Sequence, residues 1–221
     1  MAILNQTALD IKCNLQLSVL NNFEPLNFTI DYDKFKKEIE PWNKKWIFQQ
    51  KDSFNNRSAL LLVGLEGDTA VDISSNPRQK KQQIKESTGK TITDIDFKFP
   101  TDLYYDLTCL HPLLDYFQPL GKTMLVKLDA GGWFRPHKDS PLLDGNTVRV
   151  VAFIGNNVDH ESYEWEMDGK IWPIKGNRAY YVDTRKSHRT HSWADNSIHL
   201  IMNIPKTWEN VIKLMSCTRY Y

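Results

Sequence analysis

The sequence contains no CxxC pair, no long apolar run, no excess of either charge and no internal repeat. Each absence removes a class of protein. Cys13, Cys109 and Cys217 are far apart and odd in number, which argues against a structural zinc knuckle and fits buried or free thiols in a reducing compartment. No stretch approaches ~18 consecutive apolar residues, so no membrane span is expected. Met1 to Gln6 lacks a basic segment followed by a long apolar run, so no secretory leader is expected either. A net charge of +1 gives no global field to concentrate nucleic acid or an anionic membrane surface. The expectation is a soluble, cytoplasmic protein with neither nucleic acid nor membrane as a partner.

What is present is enough for a core: 41% hydrophobic and 12% aromatic residues in a chain of 221, a length ordinary for one all-β domain with helical additions. Asn14 to Ile30 reads as strands or extended segments, broken at Asn22, Pro25 and Asn27. Asp31 to Glu40 reads as a helix stopped by Pro41, and Ser58 to Leu65 as a strand followed by a turn at Gly67-Asp68. Ser74 to Lys90 is polar and basic and reads as a surface loop or lid. Apolar positions from Leu103 to Phe117 recur at helical spacing, with Pro112 near a kink or break. After Gly121 the pattern turns to strands: Thr123 to Leu128, Val148 to Ile154, a hairpin over Tyr163 to Trp172 turning at Asp168-Gly169, Arg178 to Val182, and Ile198 to Ile204. Trp208 to Met215 closes as a short helix. Trp133, Trp165, Trp172 and Trp193 are expected in the core or lining a barrel.

The informative stretch is Asp129-Ala-Gly-Gly-Trp-Phe-Arg-Pro-His137-Lys-Asp139. On an extended chain residues i and i+2 face the same way, so His137 and Asp139 can reach one metal ion. A second histidine from another strand would complete a two-His, one-carboxylate set that leaves three positions on iron(II) open. A histidine-bearing segment, Asp183-Thr-Arg-Lys-Ser-His188-Arg-Thr-His191-Ser-Trp193, follows about fifty residues later. His188 and His191 are an odd number of positions apart, so on a strand only one of them faces inward. His111 and His160 lack acidic or histidine partners at ligand spacing and read as structural.

These residues resemble the iron(II)- and 2-oxoglutarate-dependent oxygenases. Lys127 to Asp139 looks like that family's glycine-containing run into H-x-D, while Tyr181 to His188 and Ser197 to Asn203 look like its distal-histidine strand and the strand after it. The similarity covers roughly residues 123–204 and is nearest the aspartyl/asparaginyl β-hydroxylase-like branch, which includes free-proline hydroxylases. It implies a mainly β fold with flanking helices around a double-stranded β-helix (jelly roll, cupin-like) core. It also implies one oxygenase domain over 1–221, with a mixed N-terminal region (1–120) packing on the barrel, a core carrying the metal motif (121–205) and a C-terminal helix (206–221). His188 fits the family spacing better than His191, so His137, Asp139 and His188 are the implied catalytic and metal-binding residues.

The implied activity is dioxygenation: Fe(II), 2-oxoglutarate and O2 are used to hydroxylate a C–H bond of a free amino acid or peptidyl side chain, with succinate and CO2 as co-products. In most of the family an arginine at the start of the strand after the distal histidine holds the far carboxylate of 2-oxoglutarate. Here the matching positions, about Ser197 to His199, carry none. Arg149 matches an arginine that contacts the co-substrate in the aspartyl-hydroxylase branch, and His199 lies near the usual arginine position; both are candidate cofactor-binding residues. Two other readings of the same residues are a cupin-type metal protein without 2-oxoglutarate and a catalytically degenerate jelly-roll binding module.

Overall fold

The computed structural model describes residues 2–73, 77–139, 146–156, 158–159 and 161–218. Eleven strands pair in one antiparallel sheet that curls back on itself, and helices cover part of its outside. The strands are β1 (Phe23–Thr29), β2 (Ile47–Lys51), β3 (Phe54–Gly64), β4 (Phe99–Pro100), β5 (Thr123–His137), β6 (Thr147–Ile154), β7 (Tyr163–Met167), β8 (Lys170–Ile171), β9 (Arg178–Val182), β10 (His188–Ser192) and β11 (Ser197–Pro205).

The curl is built into β5. Its first half, up to Leu128, pairs with β11; its second half, from Trp133, pairs with β10. Gly131 lies between the halves at φ +76, a left-handed conformation that favours glycine, and a Cβ on Gly132 would stand 2.7 Å from the Asp129 carbonyl oxygen. The strand therefore bends at Gly131-Gly132 and serves two faces. One face runs β1-β9-β6-β11-β5 and the other β5-β10-β7-β8. With β5 counted as two strands, five strands lie on one side and four on the other, and the chain crosses repeatedly between them, which is the pairing of a jelly roll.

Burial on both sides explains why β6 and β11 read as nearly continuous apolar runs. Val148, Val150, Ala152 and Ile154 of β6, with Leu200, Met202 and Ile204 of β11, face the helical layer. Arg149, Val151 and Phe153 alternate with them, as do His199, Ile201 and Asn203, and so point to the interior. The helical layer comprises α1 (Ala2–Leu17), α2 (Tyr32–Ile39), α3 (Pro77–Thr88), α4 (Asp102–Asp106), α5 (His111–Tyr116) and α6 (Trp208–Ser216). Cys13, Phe35, Leu103, Leu114, Phe117 and Leu214 bring five of these six helices into one core with the sheet. The Asp31 carboxylate accepts from Lys34 N–H to cap α2, and the Thr207 hydroxyl accepts from Asn210 N–H to cap α6.

Several local expectations are corrected. Asn14 to Leu17 belongs to α1, and extended chain begins only at Phe23; α1 leaves Ile11 and Leu15 exposed, which blurs its apolar stripe. The expected loop from Ser74 to Lys90 carries α3: its Arg, Gln, Lys and Glu are good helix formers, Pro77 opens it, and Gly89 at φ +72 follows its end. Residues 74–76 of that segment lie outside the described residues, as does His160. The helical run after Leu103 is two short helices, α4 and α5, joined by a tight turn at Thr108–Leu110, with Pro112 in the first turn of α5. Trp193 is exposed at 60% rather than lining the barrel. The expected hairpin turns at Asp168 (φ 49) and Gly169 (φ 76), the paired positive φ of a type I′ turn. Cys13, Cys109 and Cys217 are free and buried.

Candidate metal centre

The end of β5 and the start of β10 lie side by side, and His137 is directly opposite His188 in the pairing. Their rings approach to 4.2 Å between centroids. Just past β5, the Asp139 amide donates to the Thr184 carbonyl at 2.9 Å, which keeps the chain beside the β9–β10 connection. Asp139 Oδ1 is then 3.7 Å from His137 Nε2. One ligand atom from each of His137, Asp139 and His188 falls within 4.8 Å of the others, the spacing of groups that share one ion.

Both imidazoles are turned the same way by their own strands. His137 Nδ1 lies 2.8 Å from the Arg135 carbonyl, and His188 Nδ1 lies 3.0 Å from the Lys186 carbonyl. A carbonyl only accepts, so each Nδ1 carries the proton and each Nε2 keeps its lone pair. Metal-binding histidines are commonly oriented in this way. Burial, then the neighbouring His137, push His188 down to about 4, so its ring is neutral at pH 7. Burial works against ionisation of Asp139, but Arg149 and the two histidines outweigh it and hold the carboxyl below its ordinary range. Arg149 Nη2 is 3.0 Å from Asp139 Oδ2. The Trp165 ring lies parallel to the His188 ring, 5.8 Å away at an interplanar angle of 3°.

Alternation on β10 separates the two candidate histidines: His188, Thr190 and Ser192 are buried, while Arg189 and His191 alternate with them. His191 packs edge-on against Trp193 at 3.7 Å. Arg149 faces the metal group through Asp139. His199 is buried deeper in the barrel, with Nδ1 3.4 Å from the Tyr163 hydroxyl and its ring beside Phe153. Burial and the charge of Arg57 press His199 down to about 3, so it is uncharged. His111 is structural: its ring stacks on Tyr104 and Nε2 bonds the Tyr104 carbonyl.

Sequence reasoning missed Arg57. This arginine sits on β3 opposite Leu128 and is buried at 7% exposure. Its guanidinium lies against both the Phe54 and Phe134 rings, 5.0 and 5.1 Å from their centroids, and donates to the Gln49 side-chain carbonyl. No signal in the sequence marks it, because only the structure shows that Arg57 and the seven strand positions after it are all buried.

A cavity of about 180 Å³ opens beside Asp139, lined among others by Arg149, Tyr181, Thr184, Arg185 and Lys206. Among the described residues no helix is long and apolar enough to cross a membrane.

No family model matches the sequence, and no curated protein matches it. Solved structures do. A Pseudomonas putida prolyl-4-hydroxylase is similar over 89% of this chain and 98% of its own, at 10% identity and a TM-score of 0.49. KdgF from Halomonas sp. is similar over 38% of this chain and 68% of its own, at 15% identity and a TM-score of 0.30. A predicted oxalate decarboxylase from Thermotoga maritima is similar over 43% and 73%, at 16% identity and a TM-score of 0.31.

Proposed function

We propose that this chain is an iron(II)- and 2-oxoglutarate-dependent dioxygenase that hydroxylates a C–H bond of an amino acid or peptidyl side chain. The observation that carries the reading is the convergence of one ligand atom from each of His137, Asp139 and His188 within 4.8 Å at the mouth of a jelly roll. Two neutral imidazoles and a carboxylate form the donor set of non-haem iron(II) oxygenases, whereas thiolates, which favour zinc or clusters, are absent from the group. The donor chemistry therefore fits Fe(II), with His137, Asp139 and His188 as its ligands.

When bound, Fe(II) with 2-oxoglutarate supplies the oxidation: one atom of O2 enters the co-substrate, which leaves as succinate and CO2, and the other enters the C–H bond. The chain supplies geometry, charge and dryness. The carbonyls of Arg135 and Lys186 fix the imidazoles, and Arg149 keeps Asp139 ionised and aimed. Trp165 walls the His188 side against water. The cavity beside Asp139 is smaller than the about 300–1,000 Å³ of usual ligand pockets, and its wall holds Asp139 but neither His137 nor His188. Arg149 and Arg185 in its wall are already paired with Asp139 and Asp183, and Lys206 donates to the Asn14 side chain.

The test is succinate release from 2-oxoglutarate with iron(II) and ascorbate, comparing wild type with Asp139→Ala across a panel of amino acids. Turnover in wild type that is lost in the variant supports the proposal. Metal uptake with no effect of 2-oxoglutarate would replace it with a cupin-type metal protein, and no metal uptake with a binding module.

A further inference from the structure

We infer that Arg57 binds the carboxylate, remote from the metal, of the organic acid that occupies the centre. This rests on the reading of that centre as one that takes a 2-oxo acid.

Buried charges are almost always paired. Arg57 is a buried guanidinium, yet no described carboxylate forms an ion pair with it. Its contacts are the Gln49 amide oxygen, the Met124 sulfur 3.9 Å from Nη2, and two aromatic rings. Its Nε has no hydrogen-bond partner. Burial presses its pKa down to about 10, and the Tyr163 hydroxyl opposes this. Lys122 is also buried, and burial pushes it down to about 8, with the Asp94 carboxylate opposing and the charge of Arg57 among those that add to the fall. Ring faces and a neutral amide offset only part of the cost of stripping water from a guanidinium. An arriving carboxylate would supply the missing charge and take the planar fork of donors.

The position suits a short diacid. Phe134 touches both ends: its ring is 5.1 Å from the Arg57 guanidinium and 5.7 Å from the His137 ring. On β10, Thr190 is one inward step beyond His188, a rise of about 6.6 Å. The Thr190 hydroxyl is buried without a hydrogen bond of good geometry, and it sits opposite Phe134 in the pairing. Tyr163, which feels the charge of Arg57, comes next along this path. An acid chelated at the metal by its oxo and carboxylate oxygens thus has a route past Thr190 to Arg57.

The test loads the protein with Mn(II) and titrates two acids of equal chain length by calorimetry: 2-oxoglutarate, and 2-oxopentanoate, which lacks the far carboxylate. Wild type is expected to prefer 2-oxoglutarate by about 100-fold, on the scale of a charge-assisted bidentate pair. Arg57→Gln should lose that preference while binding 2-oxopentanoate as wild type does, and Arg57→Lys should fall between. Preference retained in Arg57→Gln, or lost instead in Arg149→Gln, overturns the assignment and leaves the proposed function standing. If Mn(II)-loaded wild type binds neither acid, both fall together. A second measurement covers poor folding of the Gln variant. Without metal or acid, Arg57→Met is expected to melt no lower than wild type, because it removes an unneutralised buried charge. A marked fall in its melting temperature would show a structural cation and overturn the inference.

Discussion

Arg149 reaches across from β6 to stand 3.0 Å from Asp139 Oδ2, so the one acidic ligand of the candidate centre is gripped by a cation from a different strand. Because this neighbour holds the Asp139 carboxyl below its ordinary range, its loss should raise that pKa. Arg149→Gln is expected to weaken metal binding by about 10–100-fold, the usual cost of losing a group that orients a ligand. The defect should deepen as pH falls, since protonated Asp139 competes with the metal. Chelator competition titrations at pH 5.5 and 7.5 measure both effects; equal affinity to wild type at both pH values would contradict them.

The two histidines of β10 should behave oppositely. His188 faces the group and His191 packs on Trp193. His188→Ala is expected to abolish stoichiometric metal uptake, whereas His191→Ala should keep it within about twofold, as expected of a position away from the site. Metal content after dialysis, or the visible spectrum of the Co(II)-loaded protein, distinguishes them.

Acid should destabilise the metal-free protein early. His188 and His199 have folded-state pKa values pushed down to about 4 and about 3, below the unfolded value near 6.5. The unfolded chain therefore binds more protons between these limits, and stability present above pH 6.5 is lost as pH falls toward 3. A tenfold difference in proton affinity between the folded and unfolded chain is worth ~1.4 kcal/mol, so His199 alone can contribute several kcal/mol. Melting curves from pH 7 to pH 4 should show the fall, and His199→Asn should flatten it.

Gly132→Ala places a Cβ 2.7 Å from one backbone carbonyl oxygen and 3.1 Å from another, on Asp129 and Asn56. Neither can swing away as a side chain would. A loss of about 1–3 kcal/mol is expected, together with weaker metal binding because the bend that aims His137 must shift. Unchanged metal affinity in a folded variant would show that the bend does not set the site.

Phe117→Ala removes a fully buried ring that packs edge-on against Tyr116 and beside Phe28. The expected cost is ~3–5 kcal/mol, or roughly 6–20 °C in Tm for a chain of this size, with metal affinity retained. Differential scanning calorimetry with a parallel metal titration checks that the helical layer supports the barrel without shaping its mouth.

The barrel strands and the grouping of His137, Asp139 and His188 were legible because they obey short-range rules. His137 and Asp139 are two residues apart, and β6 and β11 announce themselves by their apolar runs. His188 needed only strand alternation and a family spacing. Arg57 was not legible: Asn55-Asn56-Arg57-Ser58 reads as a polar strand end, and only the packing of β5 against β3 turns that position inward. Helix α3 was missed because it has no apolar stripe to read, although Pro77 before it and Gly89 after it are the punctuation of a helix. Helix α1 was missed because exposed Ile11 and Leu15 dilute its periodicity.

Each imidazole of the centre is aimed by a carbonyl only two residues back on its own chain. The tautomer is thereby written into two tripeptides, Arg135 to His137 and Lys186 to His188, while the distant fold need only bring those tripeptides together. Loosening the outer helices should thus cost proximity before it costs chemical identity: a partly relaxed molecule would still hold each ring against its own carbonyl and regain the grouping on re-closing.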